Sequence, residues 1–336
     1  MQAPQSILAG MMHRFQSFWF GETISPFQRL AMKSFVDHGH EYILYAYDKF
    51  DVPAGVELRD ANDILPRSRV FFYGEAAGVG RGSVSAFSNL FRYHLLHEHG
   101  HWWVDADVVC LSDAVPSTDV FMGWEYDHQI GSAILKFPAR HPFVNALCEL
   151  SDASGRDLEW GTTGPHMVTS LAKEKELLHL VSPQPFAYPV QSAEALHLFI
   201  PARRAEVHER IAGKPFLHMW NEVMRRAVIL PWMAPPRGSV MGDLFARHGI
   251  DANAPAYTAD QIQRLSDNYY ASATWSHPFA EKAEVTRLKE QRHLAQMRAD
   301  ALAGELNALR SSRSWRATAP LRRVRTLLRL LRRNRD

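Results

Sequence analysis

An apolar segment interrupted by two carboxylates, at residues 102–111, constrains this chain more than any other feature. Residues 102–104 (Trp-Trp-Val) precede Asp105 and Asp107, and residues 108–111 (Val-Val-Cys-Leu) follow them. Residues two apart on a strand project to the same side, so the two carboxylates are expected to lie together. Buried carboxylates need a partner or a metal, and Mn²⁺ and Mg²⁺ prefer oxygen ligands and keep positions open for phosphate oxygens. The pattern predicts a site for a metal and a diphosphate; a structural turn or an ion pair is the alternative.

The residues before this segment predict an amphipathic helix that ends at Gly100. Positions 87, 90, 91, 94 and 95 have helical spacing, and all but His94 are apolar. Asn89 and Arg92 lie on a more polar side, and a glycine such as Gly100 commonly ends a helix. An arginine here could hold a phosphate or a carboxylate near the metal. A surface salt bridge is the alternative interpretation of Arg92.

Residues 88–108, which read SNLFRYHLLHEHGHWWVDADV, resemble the signature SDxxRYxxLxxxGGxYxDxDV of DxD-motif sugar-binding glycosyltransferases. These are the family 32 enzymes and the capsular polysaccharide synthesis glycosyltransferases. The resemblance implies an α/β fold of the GT-A type, Rossmann-like, with a mostly parallel sheet flanked by helices. It also implies a nucleotide-sugar donor, a Mn²⁺ or Mg²⁺ cofactor, and transfer with retention of anomeric configuration.

The resemblance also assigns roles to individual residues. Asp105, Asp107 and Arg92 match the catalytic residues; the aspartates are expected to bind the metal and the diphosphate, and Arg92 to hold the donor. Asn89 stands where the family usually has an aspartate that contacts the donor. His101 replaces the second glycine of the signature, so the turn there must accept a side chain.

The N-terminal segment predicts a strand, a helix and a second strand. Residues 15–20 are apolar and aromatic, Ser25-Pro26 suits a helix start, and residues 42–47 form a second apolar run. This order predicts a parallel sheet, in which ligands bind beyond the carboxyl ends of the strands. At the end of the first strand, Trp19 and Phe20 are candidate contacts for the nucleotide base, or plain core aromatics.

Two later segments add candidate site residues. Gly164 belongs to a Thr-Gly-Pro loop that resembles the loop near the donor sugar in the family. His218 and Asn221 lie in a segment that resembles the late segment of the family that returns to the metal, so they are expected to complete the metal coordination. Between them, Trp220 is a candidate donor contact or a core residue.

A predicted hairpin, with strands at 121–125 and 130–135, carries two further acids. Glu125 and Asp127 could face the acceptor, but solvated loop acids are the favoured interpretation. The histidines at positions 94, 97, 99 and 101 could form a zinc site, which would favour a hydrolase. No matching downstream motif accompanies them, so satisfied or solvated histidines are favoured.

Composition changes along the chain predict four parts. They are a GT-A catalytic domain at 1–235, a helical and loop extension at 236–275, a long exposed helix at 276–310, and an Arg-rich amphipathic tail at 311–336. The tail carries nine arginines and one acid, a formal charge of +8, against +2 for the whole chain. An apolar stripe flanked by arginines predicts contact with an anionic membrane surface; a disordered basic tail is the alternative. Nucleic acid is not expected as a partner because the rest of the chain is acidic, at 2 − 8 = −6.

The chain shows no signal-peptide pattern and no apolar run of about 18 residues, the length that a membrane span needs. Its two cysteines suggest no disulfide framework. We therefore expect a cytoplasmic enzyme bound peripherally to the inner face of the cell membrane. The predicted function is transfer of a sugar, of the hexosyl type, from a UDP- or GDP-sugar to a glycan or lipid-linked acceptor in cell-envelope polysaccharide synthesis. The alternative is a non-catalytic nucleotide-sugar-binding or assembly subunit.

Overall fold

A computed structural model describes residues 10–252 and 254–271 of the chain, which lie within one compact unit. The predicted long helix at 276–310 and the tail at 311–336 lie outside the described residues. The domain boundary at 235 stays a prediction. Within the described ranges, no helix combines the length and the hydrophobicity that crossing a bilayer requires.

The described residues contain both β-strands and α-helices. The strands are β1 Arg14–Trp19, β2 Glu41–Ala46, β3 Val56–Asp60, β4 His101–Val104, β5 Val108–Cys110, β6 Met122–Tyr126, β7 Gln129–Ile130, β8 Ile134–Phe137, β9 Val181–Ser182 and β10 Phe216–His218. The helices are α1 Pro26–Asp37, α2 Ser85–His99, α3 Pro142–Ala153, α4 Met167–Glu174, α5 Gln184–Ala187, α6 Arg204–Ile211, α7 Asn221–Arg226, α8 Val240–Arg247 and α9 Ala259–Ala271.

The central sheet has the order β3-β2-β1-β4-β8. The first four strands are parallel and β8 is antiparallel to β4. Helices and apolar clusters cover both faces of the sheet. The predicted fold class, an α/β protein with a mostly parallel sheet flanked by helices, is confirmed, and the arrangement is consistent with a GT-A fold.

The predicted first strand, helix and second strand are present within a few residues of their expected bounds. Helix α1 begins where Ser25 accepts a hydrogen bond from the Phe27 N–H and Gln28 folds back to the Ser25 N–H, with Pro26 in the first turn. Such a capping box satisfies amide groups that the helix itself cannot pair. The predicted strand at 130–135 is wrong in part: it divides into β7, which pairs with β6, and β8, which pairs with β4.

The turn between α2 and β4 places two consecutive residues in the left-handed region. Gly100 has φ 64° and His101 has φ 66°. A Cβ atom at position 100 would lie 2.4 Å from the backbone nitrogen of Ala139, so only glycine fits there. His101 occupies the position of the second glycine in the resembled signature, and its backbone adopts a conformation that glycine accommodates without strain.

Two substitutions in this turn are expected to change stability in opposite directions. Gly100→Ala should lower the free energy of unfolding by about 2 kcal/mol or more, because the new methyl group overlaps backbone atoms. His101→Gly should raise it by about 1 kcal/mol, because it removes the left-handed strain of an exposed side chain. Denaturant titration of both variants checks this. Destabilisation by His101→Gly would show that the imidazole contributes more than its backbone strain costs.

Candidate functional site

The turn that follows β4 carries Asp105 and Asp107. Strand β4 ends at Val104, and the turn is closed by a hydrogen bond from the Val108 N–H to the Asp105 carbonyl at 3.0 Å. The expectation that strand alternation places the two carboxylates together was wrong, because the turn, and not a continued strand, brings them to one side. The turn lies at the carboxyl end of a parallel strand, where such sheets bind ligands.

His218 joins the two aspartates from a distant part of the chain. Strand β10 runs antiparallel to β5 and places His218 opposite Val108. Its Nε2 lies 3.3 Å from Asp107 Oδ1. One ligand atom from each of Asp105, Asp107 and His218 lies within 4.8 Å of the others. Two carboxylates and an imidazole at this spacing are a donor set that can hold a divalent cation, so the described fold brings together three of the four predicted metal ligands.

Asn221, the fourth predicted ligand, contacts Asp107 through its backbone. Its N–H, at the start of α7, donates to Asp107 Oδ2 at 2.8 Å. The Asp107 carboxylate is therefore held at both oxygens, one by His218 and one by Asn221. Whether the Asn221 side-chain oxygen also binds a metal stays a prediction.

The charges of Asp107 and His218 are compatible with the binding of a cation. Burial raises the pKa of Asp107, but the charge and hydrogen bond of His218 and the Asn221 amide outweigh it and hold that pKa below its usual value. Burial lowers the pKa of His218, but Asp107, then Asp105 and Glu125, outweigh it and raise that pKa above 6.5. A proton on His218 thus offsets the negative charge of the site, and a divalent cation can take over that function.

Arg92 holds the second carboxylate from helix α2. Its Nη2 donates to Asp105 Oδ1 at 2.7 Å, and its Nη1 donates to Asn89 Oδ1 at 2.6 Å. The guanidinium lies 4.9 Å from the centre of the Trp103 ring, and the Trp103 indole also donates to Asp105 Oδ1, at 2.7 Å. The Arg92 side chain is only 3% exposed. The alternative of a surface salt bridge is therefore wrong.

Asn89 contacts Arg92, and Gly164 lies next to Asn89. Asn89 is buried, and its Nδ2 donates to Thr163 Oγ1 at 3.3 Å. A Cβ atom at Gly164 would lie 3.0 Å from Asn89 Nδ2 and 3.3 Å from Ser132 Oγ. The Thr-Gly-Pro loop therefore packs directly on Asn89 and precedes α4, as expected. The roles of Asn89 and Gly164 in donor binding stay predictions.

Trp19 and Phe20 lie at the carboxyl end of β1 and are half-buried. The Trp19 indole donates to the Thr23 carbonyl at 2.8 Å. The Phe20 ring lies 5.5 Å from Phe72, and the Arg67 guanidinium lies 5.8 Å from the Phe20 ring centre. An aromatic ring beside an arginine at this edge could stack on a nucleotide base, a role that stays a prediction for both residues.

Trp220 lies directly against His218. The two ring centres are 4.1 Å apart, Trp220 is 7% exposed, and its indole donates to the Val190 carbonyl at 2.9 Å. Its backbone is left-handed, with φ 60°, which is uncommon for a bulky residue and frequent at functional sites. The indole limits the positions that the imidazole can take. Contact of Trp220 with a donor stays a prediction.

Glu125 is a buried acid near His218, whereas the favoured interpretation of the sequence was a solvated loop acid. It lies on β6, is 7% exposed, and accepts a hydrogen bond from Gln129 Nε2 at 2.7 Å. Burial raises its pKa, against the Gln129 hydrogen bond and the charge of His218. The interpretation as a solvated loop acid was wrong for Glu125, whereas Asp127 is exposed. Strand alternation could not have revealed its burial, because Phe121 and Met122, which lie on opposite faces of the strand, are both buried.

Other groups of metal-ligating side chains are arranged differently. Glu194, His197 and Glu206 also form a close group, but Arg210 pairs with both glutamates and Arg203 lies 2.9 Å from Glu206. Arginines thus already neutralise these carboxylates. Within the part of the chain that the structure describes, the four histidines at positions 94, 97, 99 and 101 do not belong to such a group of three.

Comparisons with known proteins do not assign the chain to a family. No protein-family model matches the sequence, and no curated protein matches it. Solved structures do resemble it, among them a PaToxG glycosyltransferase, with a TM-score of 0.35 and 10% sequence identity over 51% of this chain and 71% of that chain. A similarity of this size is too small to support a statement about chemistry.

Proposed function

We propose that this chain is a metal-dependent glycosyltransferase that moves a sugar from a UDP- or GDP-sugar to a glycan or lipid-linked acceptor. The observation that supports this most is the group of Asp105, Asp107 and His218 beside the buried Arg92, at the carboxyl edge of a parallel sheet. Oxygen ligands suit Mg²⁺ and Mn²⁺, and the imidazole favours Mn²⁺ of the two. The resemblance to family 32 and to capsular enzymes supports a retaining reaction in envelope polysaccharide synthesis.

Each part of the site then has a chemical task. The cation, held by Asp105, Asp107 and His218, would act as a Lewis acid that neutralises charge on the departing diphosphate. Arg92 fixes Asp105 and adds positive charge that needs no reorganisation during the reaction. Asn89 and Gly164 shape the space beside Arg92. The arginine-rich tail is proposed to hold the enzyme on an anionic membrane surface at the cytoplasmic face.

The decisive experiment is a screen of nucleotide-sugars with Mn²⁺, with Mg²⁺ and with EDTA. We expect one donor to be hydrolysed slowly in the presence of the metal and to raise the melting temperature, both effects being lost with EDTA. NMR of the transfer product would then report retention or inversion. Binding of a donor without any turnover, with or without candidate acceptors, would instead favour the non-catalytic binding subunit.

Metal affinity is expected to depend on pH through His218. Its raised pKa means that it keeps a proton somewhat above pH 6.5, and a metal must displace that proton. Below this pKa the affinity for Mn²⁺ should rise about tenfold per pH unit, and above it the affinity should level off. Calorimetric titration between pH 5.5 and 8.5 measures the profile. His218→Gln should flatten it and lower the plateau; a flat wild-type profile would exclude His218 as a ligand.

A further inference from the structure

Residues 228–232, which we name the apolar loop, expose three large apolar side chains within five residues. Val228 is 64% exposed, and Leu230 and Trp232 are each 51% exposed. The residues between and before them, Ala227 and Ile229, are each 3% exposed and belong to the core. Among the described residues, no other stretch of five exposes three large apolar side chains. Exposed apolar clusters of this kind mark interaction surfaces.

The backbone at the start of the apolar loop is in an unfavourable conformation, with Val228 in the left-handed region. Helix α7 ends in a Schellman motif: the Val228 N–H donates to the Arg225 carbonyl at 3.2 Å, and the Ile229 N–H donates to the Met224 carbonyl at 2.9 Å. The motif needs a left-handed residue at the position of Val228, which is usually glycine. Val228 has φ 60°, an outlier for a β-branched residue. Since its side chain is mostly exposed, core packing does not account for a valine there.

Helix α7 connects the apolar loop to the candidate metal site. The N–H of Asn221, the first residue of α7, donates to Asp107, and the helix is six residues, about 9 Å, long and ends at Arg226. The apolar loop therefore follows the end of α7 that is opposite the hydrogen bond to Asp107.

Charge favours a negatively charged partner for the apolar loop. Residues 221–238 contain Arg225, Arg226 and Arg237 against Glu222, a formal charge of 3 − 1 = +2. A tryptophan and aliphatic side chains flanked by arginines are the composition of segments that enter the interface of anionic membranes. The same chain carries a tail of formal charge +8 at 311–336. Stable membrane anchoring usually combines two signals, such as an inserted apolar group and a polybasic segment.

We propose that the apolar loop inserts Val228, Leu230 and Trp232 into the interface of an anionic bilayer. This contact is separate from that of the tail and does not rest on the transferase reaction. It would hold the membrane at the end of α7 that is opposite the hydrogen bond to Asp107.

A fluorescent label in the apolar loop tests the proposal in the full-length protein. The native thiols are poor targets because Cys110 and Cys148 are buried and burial raises the pKa of each to about 12. Leu230→Cys carrying an NBD label should brighten and shift to shorter wavelength with vesicles of phosphatidylcholine and phosphatidylglycerol. The control is Leu150→Cys, which is 46% exposed on α3; its emission should stay unchanged on the same vesicles.

Two further variants measure how much the apolar loop contributes to vesicle binding. The double variant Leu230→Ser, Trp232→Ser should lower vesicle affinity about tenfold or more, from the apolar area it removes, whereas Leu150→Ser should leave it unchanged. Val228→Gly should raise the melting temperature, because it relieves the left-handed strain, and should weaken vesicle binding severalfold. These opposite signs separate a surface role from a structural one.

Three results would overturn the proposal. One is sedimentation with vesicles while the label at position 230 stays unchanged, since the tail alone would then bind lipid. Another is unchanged vesicle affinity of the double variant. The third is a concentration-dependent change of the label without lipid, which would show that a second copy of the chain covers the apolar loop.

Discussion

Asp107→Asn is expected to abolish metal-dependent sugar transfer, with a loss of about a thousandfold or more, because a bound cation contributes several kcal/mol of charge stabilisation. The Asp107 carboxylate is the centre of the site: its two oxygens contact His218 and the Asn221 N–H. Asparagine keeps the shape and an acceptor for the Asn221 amide, so the fold should be preserved. Only the charge that binds the cation is lost.

The measurement is donor turnover with Mn²⁺, together with calorimetric Mn²⁺ binding and a melting curve. A matched control is Asp119→Asn, the same chemical change at an exposed position, which should leave turnover unchanged. If Asp107→Asn folds, loses Mn²⁺ binding and still turns over the donor at the wild-type rate, the metal-dependent mechanism is wrong. Equal loss in the Asp119 control would indicate a nonspecific effect of the substitution.

Arg92→Met is expected to lower the free energy of unfolding by about 3 kcal/mol, because it leaves Asp105 without its buried partner and Asn89 without its donor. We place the loss at the lower end of the usual range because the Asp105 side chain is 27% exposed and can be partly solvated. Donor turnover should also fall, since Asp105 would no longer be held in place. Lysine cannot donate in the same two directions and stack on Trp103, so Arg92→Lys should be intermediate.

Chemical denaturation and turnover of the three proteins check this prediction. The control is Arg69→Met, which breaks an ion pair with Asp152 whose side chains are each 39% exposed. Exposed pairs contribute about 0–1 kcal/mol, so this variant should be close to wild type. If both variants lose a similar amount of unfolding free energy, burial of Arg92 does not strengthen its ion pair with Asp105.

Much of the architecture was predictable because it follows from local patterns. The first strand, α1, the second strand and α2 are set by apolar periodicity, by the Ser25 cap and by Gly100, all of which are short-range signals. The position of Asp105 and Asp107 was predicted for the wrong reason. Their proximity depends on where strand β4 ends. Its last residue, Val104, pairs with Ile134, the first residue of β8, and no single stretch of sequence contains that information.

The long-range part of the candidate site was not derivable from residue patterns. His218 was expected at the metal only because of a family resemblance, and its approach to Asp107 requires the antiparallel pairing of β10 with β5, across more than a hundred residues. The favoured interpretation of Glu125 as solvated was wrong because the burial of an acid depends on what packs over it. At position 101 the resembled signature has glycine, so we expected a turn that accepts a side chain; the left-handed backbone of His101 is a finding of the structure.

The short helix α7 has one more consequence. It is flanked by two non-glycine residues in the left-handed region, Trp220 and Val228, with seven residues between them. Its first residue is hydrogen-bonded to Asp107. If a cation that shifts this carboxylate also shifts the other end of the helix, thermodynamic reciprocity requires that whatever binds that end alters the affinity for the cation by the same factor.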